Sequence, residues 1–574
     1  MNPLSQRQFF EIVRNQLESE RASFIQHWRD ISDHILPRRA HFQVTDANRG
    51  DKKNQKIIDS TATLAARTLS SGMMSGITSP ARPWFRLTTP DPDMAEFGSV
   101  KAWLDTVQKR MITSYLRSNL YNTLPIMYKD LGVFGTSPVL VEEDLTGDVI
   151  HTKSFPIGSY CIAKDGKGRV NTFMREFQMT VAQVVETFGE YDPVTGRAKW
   201  DNISIHVKNL WDTGNYEAWV NVIHMIMPNR NYDPAKGLSR YKKFLSYYYE
   251  TGSNYDLRGT EDVFLRESGY DYFPVLCPRW EVTGSDVYGT SCPGMEALGD
   301  IKQLQHGEKR IMEAIDKMVR PPMKGPSSLK QTVVSTLPGE ITFEDVTSGQ
   351  GLKPVYEVQF RVQEMEMKQN QVRERINRCF YADLFLMLAN TDRRQITARE
   401  IDERHEEKLL ALGPVLEQLN EDVLDPLTDI AFNMHLKQNL LPPPPPELQG
   451  VELKVEYISI MAQAQKLLGV SGIERFTGYV GQVAQFDPNV LKKVKTEQII
   501  DVYSDMLSLP PSVIRTDEEV QAMIQQENAL RDQQAKLQML QQGASVAKDL
   551  SQSNLSKDQA LGALLEQANA GKLA

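Results

Sequence analysis

Apolar side chains recur every three or four residues from Met295 to Val319: Ile301, Leu304, Ile311, Ile315 and Met318. That spacing predicts an amphipathic helix. It stops at Pro321-Pro322, which lack backbone donors and restrict the residue before them. Gly325, Pro326, Pro338, Gly339, Gly349, Gly351 and Pro354 then punctuate a foldback from Pro321 to Glu357. The helical pattern resumes from Arg361 to Leu388. After a short basic break, Asn390 to Gln395, a third helix opens at Thr397. Thr397 and Glu400 have the spacing of a capping box, and Ile396 and Ile401 that of a hydrophobic staple. Leu412, Leu416, Leu419, Val423, Leu427, Ile430 and Met434 make its apolar stripe. Pro414 and Pro426 lie inside the stripe, so kinks are expected there. From Thr397 to Lys437 such a helix would be roughly 60 Å long at 1.5 Å per residue. That length suits a strut in a large assembly, and a long helical bundle is the plainer alternative.

The N-terminal half changes character along its length. Helices are predicted from Ser5 to Ile35, Thr61 to Met74, Val100 to Leu116 and Leu124 to Val133. Asp46 to Lys56 is polar and expected to be a mobile loop. Pro80, Pro83, Trp84, Phe85, Pro90 and Pro92 mark an extended, aromatic connection. Strand-like segments follow at Pro138 to Glu142, Ser159 to Ala163, Arg169 to Thr180, Ile203 to Leu210, Ala218 to Met227 and Phe244 to Glu250. Asp165-Gly166-Lys167-Gly168 reads as the hairpin turn between two of them. Thr180 to Phe188 reads as a short helix closed by Gly189. The fold class is therefore α+β, mainly helical.

Beyond the third helix, Pro442 to Pro446 form a stiff proline run. A rigid turn or strut fits better than an SH3 ligand, because no basic flank accompanies it. Val451, Leu453, Val455 and Tyr457 alternate as a strand. Short helices are expected at Ile460 to Leu468, Ile473 to Ala484, Asn489 to Lys495 and Thr496 to Leu507. Thr516 and Glu519 repeat the capping-box spacing before a Gln-rich helix that runs to Gln542. The tail past Gly543 is small and polar and expected to fray.

Little in the sequence points to catalysis. There is no G-x-x-x-x-G-K-[ST], and His405-Glu406-Glu407 lacks the second His of a zinc helix. The Gly166–Gly168 pair sits between strands, so it cannot cradle a phosphate at a helix start. His27, His34 and His41 are seven apart, but no carboxylate or Cys completes a metal set. Cys161, Cys277, Cys292 and Cys379 form no C-x-x-C pair, which fits a reducing compartment and no zinc site. No metal and no cofactor is expected. No apolar run reaches membrane-spanning length, and the N-terminus has no signal-peptide pattern.

At 574 residues the chain should hold three or more structural units. A net charge of -9 argues against a protein that coats nucleic acid. It does not exclude one that handles DNA without gripping it, since Lys and Arg neutralisation of phosphate makes binding tight. Basic residues matter by position: Arg393 and Arg394 in the Asn390 break, Lys324 and Lys330 in the foldback. Arg373, Arg375 and Arg378 interleave with Glu364, Glu366 and Glu374, and intrahelical ion pairs on a solvated face are the plain reading.

Several stretches together carry a family likeness. They are Asp130-Leu131-Gly132-Val133-Phe134-Gly135-Thr136, Trp280 with Asp286-Val287-Tyr288-Gly289, and Ala297-Leu298-Gly299-Asp300-Ile301-Lys302 with Leu304. The strongest is Ile396-Thr397-Ala398-Arg399-Glu400-Ile401 continuing into Leu412-Gly413-Pro414-Val415-Leu416. In that order and spacing the chain resembles the portal, or head-to-tail connector, proteins of short-tailed bacteriophages, over roughly residues 5 to 505. The resemblance implies a homo-oligomeric ring, expected to hold twelve subunits, at the capsid vertex. Double-stranded DNA would enter and leave through its axis.

The resemblance also implies an anatomy. Residues 1–290 and 396–440 would form the wing, 291–320 and 358–389 the stem, 321–357 the clip and 390–395 a channel loop. Residues 441–510 would form the crown and 511–574 a partly disordered tail. Arg393, Arg394, Asn390, Lys324, Lys330, Arg373 and Arg375 become candidates to face DNA. Pro321, Pro322, Lys324, Gly325 and Pro326 become the docking surface for the terminase large subunit and later the tail adaptor. Capsid and scaffolding or internal core proteins are further implied partners, and no membrane is involved. The protein would reside in the virion, and in the host cytoplasm during assembly. On the residues alone two rivals stay open: a nucleic-acid-processing enzyme with dispersed metal-binding carboxylates, and a helical scaffold or adaptor with no channel.

Overall fold

The computed structural model describes residues 6–43, 52–91, 98–144, 149–191, 198–251, 263–319, 323–324, 353–354, 361–390, 412–448, 453–457 and 476–483, with residues 494, 499, 520, 523–531 and 533–534. The chain divides into two compact units. The first holds Met1–Pro90 and Trp103–Val494, the second Asp91–Ala102 and Lys495–Ala574. In the second unit, residues 523–531 are helical. Apart from residues 98–102 at the start of one helix, everything described below belongs to the first.

A five-stranded antiparallel sheet is the centre of the α+β half. Its strands are β4 (Tyr160–Lys164), β5 (Val170–Thr180), β8 (Trp219–Pro228), β9 (Phe244–Glu250) and β10 (Arg266–Tyr270), in the order β10-β9-β8-β5-β4. Side chains alternate between its faces, as pleating requires. Ile223, Met225, Tyr247 and Tyr249 pack with Phe10 and Leu17 of α1 (Gln6–His34). Val220, Val222 and Tyr248 point the other way, onto α5 (Val181–Phe188) and α6 (Ile205–Asp212). The predicted turn at Asp165 closes β4 to β5: Asp165 N–H donates to Arg169 O at 2.8 Å, and Gly168 takes φ +85°.

Two of these elements show what pattern alone misreads. Ile203 to Leu210 alternates like a strand, yet residues 205–212 are helical. Ile203, Val207 and Leu210 are also spaced as one helix face, and all three pack into the same cluster. Ser204 decides it by accepting from Val207 N–H at 3.3 Å as N-cap. Thr180 and Gln183 form a full capping box at the start of α5, and Gly189 closes its end. The strands β10 and β3 (Val149–Ser154) were not expected. β3 joins β2 (Val139–Asp144) and β11 (Val275–Leu276) in a three-stranded sheet. The aromatic connection supplies β1 (Phe85–Thr88), which pairs antiparallel with β14 (Lys454–Tyr457), Phe85 opposite Tyr457.

The remaining helices pack around α2 (Thr61–Gly76) and α4 (Leu120–Phe134). Between them in sequence lies α3 (Gly98–Arg117); its Trp103 indole donates to Pro442 O at 3.0 Å, fixing the start of the proline run. α7 (Pro293–Glu296) and α8 (Leu298–Val319) replace the single helix expected from Met295. The helix expected over Arg361 to Leu388 is likewise two, α9 (Val362–Cys379) and α10 (Ala382–Asn390). They break at Tyr381, whose φ of +54° no helix contains.

The long helix is described from residue 412 to α11 (Asp425–Lys437). Its stripe is buried as predicted, from Leu412 through Leu419, Val423, Leu427 and Ile430 to Met434. The expected irregularity before Pro426 is a π turn, Asn420–Leu424, where Asp425 N–H reaches back to Asn420 O. Pro426 has no N–H for Asp422 O, so the extra residue fits there without losing an α-helical bond. The Thr397 capping box, the further short helices at 460–468, 489–495 and 496–507 save for residues 494 and 499, and the tail past Gly543 lie outside the described residues.

That π turn carries Asp422 to Arg279 of the α+β half. The guanidinium donates to both carboxylate oxygens at 3.2 and 3.1 Å, and to Gly168 O at 3.0 Å. Both side chains are nearly out of solvent, 3% and 8% exposed. Asp422→Ala leaves the guanidinium buried without its counter-charge, and should cost about 3–5 kcal/mol in urea unfolding.

Candidate functional site

Two of the motifs that carried the family likeness, 130–136 and 280–289, meet at the root of the third, 297–304, while residues 396–401 lie outside the described residues. Gly135, with φ +82°, ends α4, and Trp280 N–H donates to its carbonyl at 2.9 Å. Gly289 N–H donates to Thr136 Oγ1 at 2.8 Å. A Cβ on Gly289 would lie 2.1 Å from Gly135 O, so the two chains touch backbone to backbone. The Cys292 thiol donates to Val133 O at 3.3 Å, and a Cβ on Gly294 would strike the same carbonyl. This contact anchors the root of α7 and α8 on α4. The Asp130 carboxylate beside it is buried, 2.7 Å from Arg39 Nε, and its Oδ1 has no hydrogen-bond partner among the described residues.

From that root α8 and α9 run side by side. Gly307 lets them approach, since a Cβ there would overlap the Gln369 amide. Two guanidiniums bridge them. Arg373 donates to Glu308 at 2.5 Å and to Asp59 at 2.9 Å, and Arg375 grips both oxygens of Asp300 at 2.7 and 3.2 Å. These pairs reach across helices, in place of the intrahelical pairs expected with Glu364, Glu366 and Glu374. Gln305 clamps the segment before α2: its Oε1 accepts from Ile58 and Asp59 N–H at 2.6 and 2.8 Å, and its Nε2 donates to Asp59 O. Burial disfavours ionisation of Asp59, but hydrogen bonds from Thr61 and Arg373 hold its carboxyl below the usual range.

The expected site residues are thus only partly gathered. Arg373 and Arg375 lie on the α8–α9 pair with their charge met by this chain's own carboxylates. Asn390 is the last residue of α10. Lys324 belongs to a two-residue ladder, β12 (Met323–Lys324) against β13 (Lys353–Pro354), at the mouth of the foldback. Pro321, Pro322, Gly325, Pro326, Lys330, Arg393 and Arg394 lie outside the described residues. Asp59, Gln305, Asp300 and Glu308 were not foreseen, and the large sequence separations between partners leave no local signal for them.

Chemistry of other kinds finds little support. Among the described residues no group of three or more His, Cys, Asp or Glu could hold a metal ion. Burial pushes the Cys161 and Cys292 thiols up to about 12, far from a reactive thiolate. Among the described residues no helix is long and apolar enough to cross a membrane.

A guanidinium-bridged helix pair rooted on glycine contacts defines a structural class rather than a catalytic one, and the comparisons give that class a name. The chain belongs to the bacteriophage head to tail connecting protein family, whose model matches residues 8–514. Two relatives narrow it further. The portal protein of Salmonella phage epsilon15 is 48% identical over 97% of both chains. The probable portal protein of Bordetella phage BPP-1 is 45% identical over 95% of both.

Two outcomes follow from the geometry. Gly289→Ala must push the backbone at Gly135 aside, and should lower stability by at least about 2 kcal/mol in thermal unfolding. Burial pushes the Asp130 carboxyl up from 3.8 to about 6, and Arg39 only partly offsets it. Between those values the folded protein keeps a proton that the unfolded chain has lost, so stability falls as pH rises from about 4 to about 6. Asp130→Asn should remove that part of the slope, on the order of 1–3 kcal/mol across the window, in urea unfolding at stepped pH.

Proposed function

We propose that the protein is the portal of a short-tailed bacteriophage, a structural and non-enzymatic component of the virion. The observation that carries this reading is the likeness to the epsilon15 portal protein along nearly the whole of both chains. Its assembled form is a ring, expected to hold twelve copies, at the capsid vertex. Double-stranded DNA passes through the axis inward at packaging and outward at ejection. The terminase large subunit docks first and the tail adaptor later, with capsid and scaffolding or internal core proteins around the rim. Assembly takes place in the host cytoplasm.

Within that ring, α8 and α9 serve as the stem and residues 321–357 as the clip that receives motor and adaptor, through Pro321, Pro322, Lys324, Gly325 and Pro326. Residues 1–290 with 396–440 form the wing, 441–510 the crown and 511–574 the tail. The residue 390–395 loop forms the constriction. A wall of acidic subunits repels the phosphate backbone and keeps the duplex centred. Arg393 and Arg394 supply weak contacts that carry no sequence information, and Asn390, Lys324 and Lys330 are secondary candidates. Arg373 and Arg375 hold the stem pair together first, and face DNA only as far as their carboxylate partners leave them charge.

Negative-stain images and mass measurement of the purified protein should show rings. In a phage assay, Arg393→Ala with Arg394→Ala should reduce DNA packaging or retention; unchanged values of both would remove the loop from the mechanism.

A further inference from the structure

Helix α8 carries two apolar seams, and α9 covers only one. Ile301, Leu304, Ile311 and Ala314 are buried. Glu308, Met312, Ile315 and Val319 form a second line at three- and four-residue steps. On it Met312 is 61% exposed, Ile315 43% and Val319 73%. This seam floors an open groove of roughly 1330 Å³ whose far wall is His34, Gln55, Lys56 and Ile58. Two ion pairs steady that wall, Lys56 to Asp33 at 2.7 Å and Lys302 to Asp30 at 2.9 Å. A wall held in place beside an unfilled seam is shaped for a third rod.

Charge says which rod. Arg373 reaches Glu308 and Asp59, so it marks the groove side of the α8–α9 pair; Glu366, seven residues earlier, shares that side. Glu313 and Asp316 line the groove itself, as does Lys309, while Lys56 and Lys302 are already paired with Asp33 and Asp30. The other edge is basic. Gln303, Arg310 and Lys317 are exposed, lie seven apart on α8 and line no part of the groove. Lys368 stands seven residues before Arg375, whose partner Asp300 marks that opposite side. One edge of the pair thus bears Asp316 and Glu366, the other Arg310, Lys317 and Lys368, with Glu313 between them, three residues after Arg310 and four before Lys317.

We infer that the Met312–Ile315–Val319 seam receives the Arg310–Lys317–Lys368 edge of the next copy of this chain. The aliphatic stems of Arg310 and Lys317 lie over the apolar side chains, and their charged heads reach Asp316 and Glu366. The two surfaces differ, so the contact is head-to-tail and repeats around a closed ring. The inference rests on the ring reading above and specifies its stem interface.

The test uses the full chain. Asp316→Lys with Glu366→Lys reverses one edge; Arg310→Glu, Lys317→Glu and Lys368→Glu reverse the other. All five positions are exposed, and circular dichroism melts check that each variant folds. Each reversal alone should raise the concentration needed for rings by at least about tenfold, read by sedimentation and negative stain. A chain carrying both reversals should regain rings. If the unaltered protein forms rings and single reversals leave them intact, the interface lies elsewhere while the portal reading stands. Failure of the double reversal to rescue would also overturn the pairing. If the unaltered protein forms no rings, the portal reading falls and this interface with it.

Discussion

Asp59 is where three helices of the first unit, α2, α8 and α9, are tied together. Its Oδ1 accepts from Thr61 N–H at 2.7 Å, starting α2, and its Oδ2 accepts from Arg373 on α9. Its backbone is held by Gln305 of α8. Three elements therefore share one residue, and none keeps its place if that residue moves. A carboxylate suits the task because hydrogen bonds to an ionised group are about twice as strong as neutral ones. The cost of its partial burial is offset by those donors, which is why it stays charged.

The same logic, charge met inside the chain, governs α8 and α9. Arg373 and Arg375 read in the sequence as a solvated helix face with intrahelical pairs, and the resemblance made them candidates to face DNA. In the fold they are cross-helix rivets, and the charges left over are sorted by edge.

Much of this was legible in the sequence. Long elements with a clean period were read correctly: α1, α8, and the buried stripe from Leu412 to Met434. Turn chemistry at Asp165 and the helix closed by Gly189 were also readable, since both depend on neighbours in sequence. Ile203 to Leu210 was not, because its apolar residues satisfy both periods and a single N-cap serine decides between them. The break at Tyr381 left no mark either, being imposed by packing: a Cβ on Gly72 of α2 would overlap the ring of Phe385 in α10, just past that break. Site residues divide in the same way. The glycine motifs were visible as motifs, but that Gly135 and Gly289 touch is a fact of the fold. Asp59 and Gln305 lie far in sequence from what they hold, so no local pattern announces them.

The π turn at Asn420–Leu424 has a further bearing on the long helix. One surplus residue rotates everything beyond it by roughly a quarter turn relative to an unbroken α-helix of 3.6 residues per turn. With the offset, Asp422 is swung inward to the guanidinium waiting there, while Leu427 and Ile430 keep their bearing on the core. A relative lacking that residue could not keep both; it would have to surrender either the latch or the alignment.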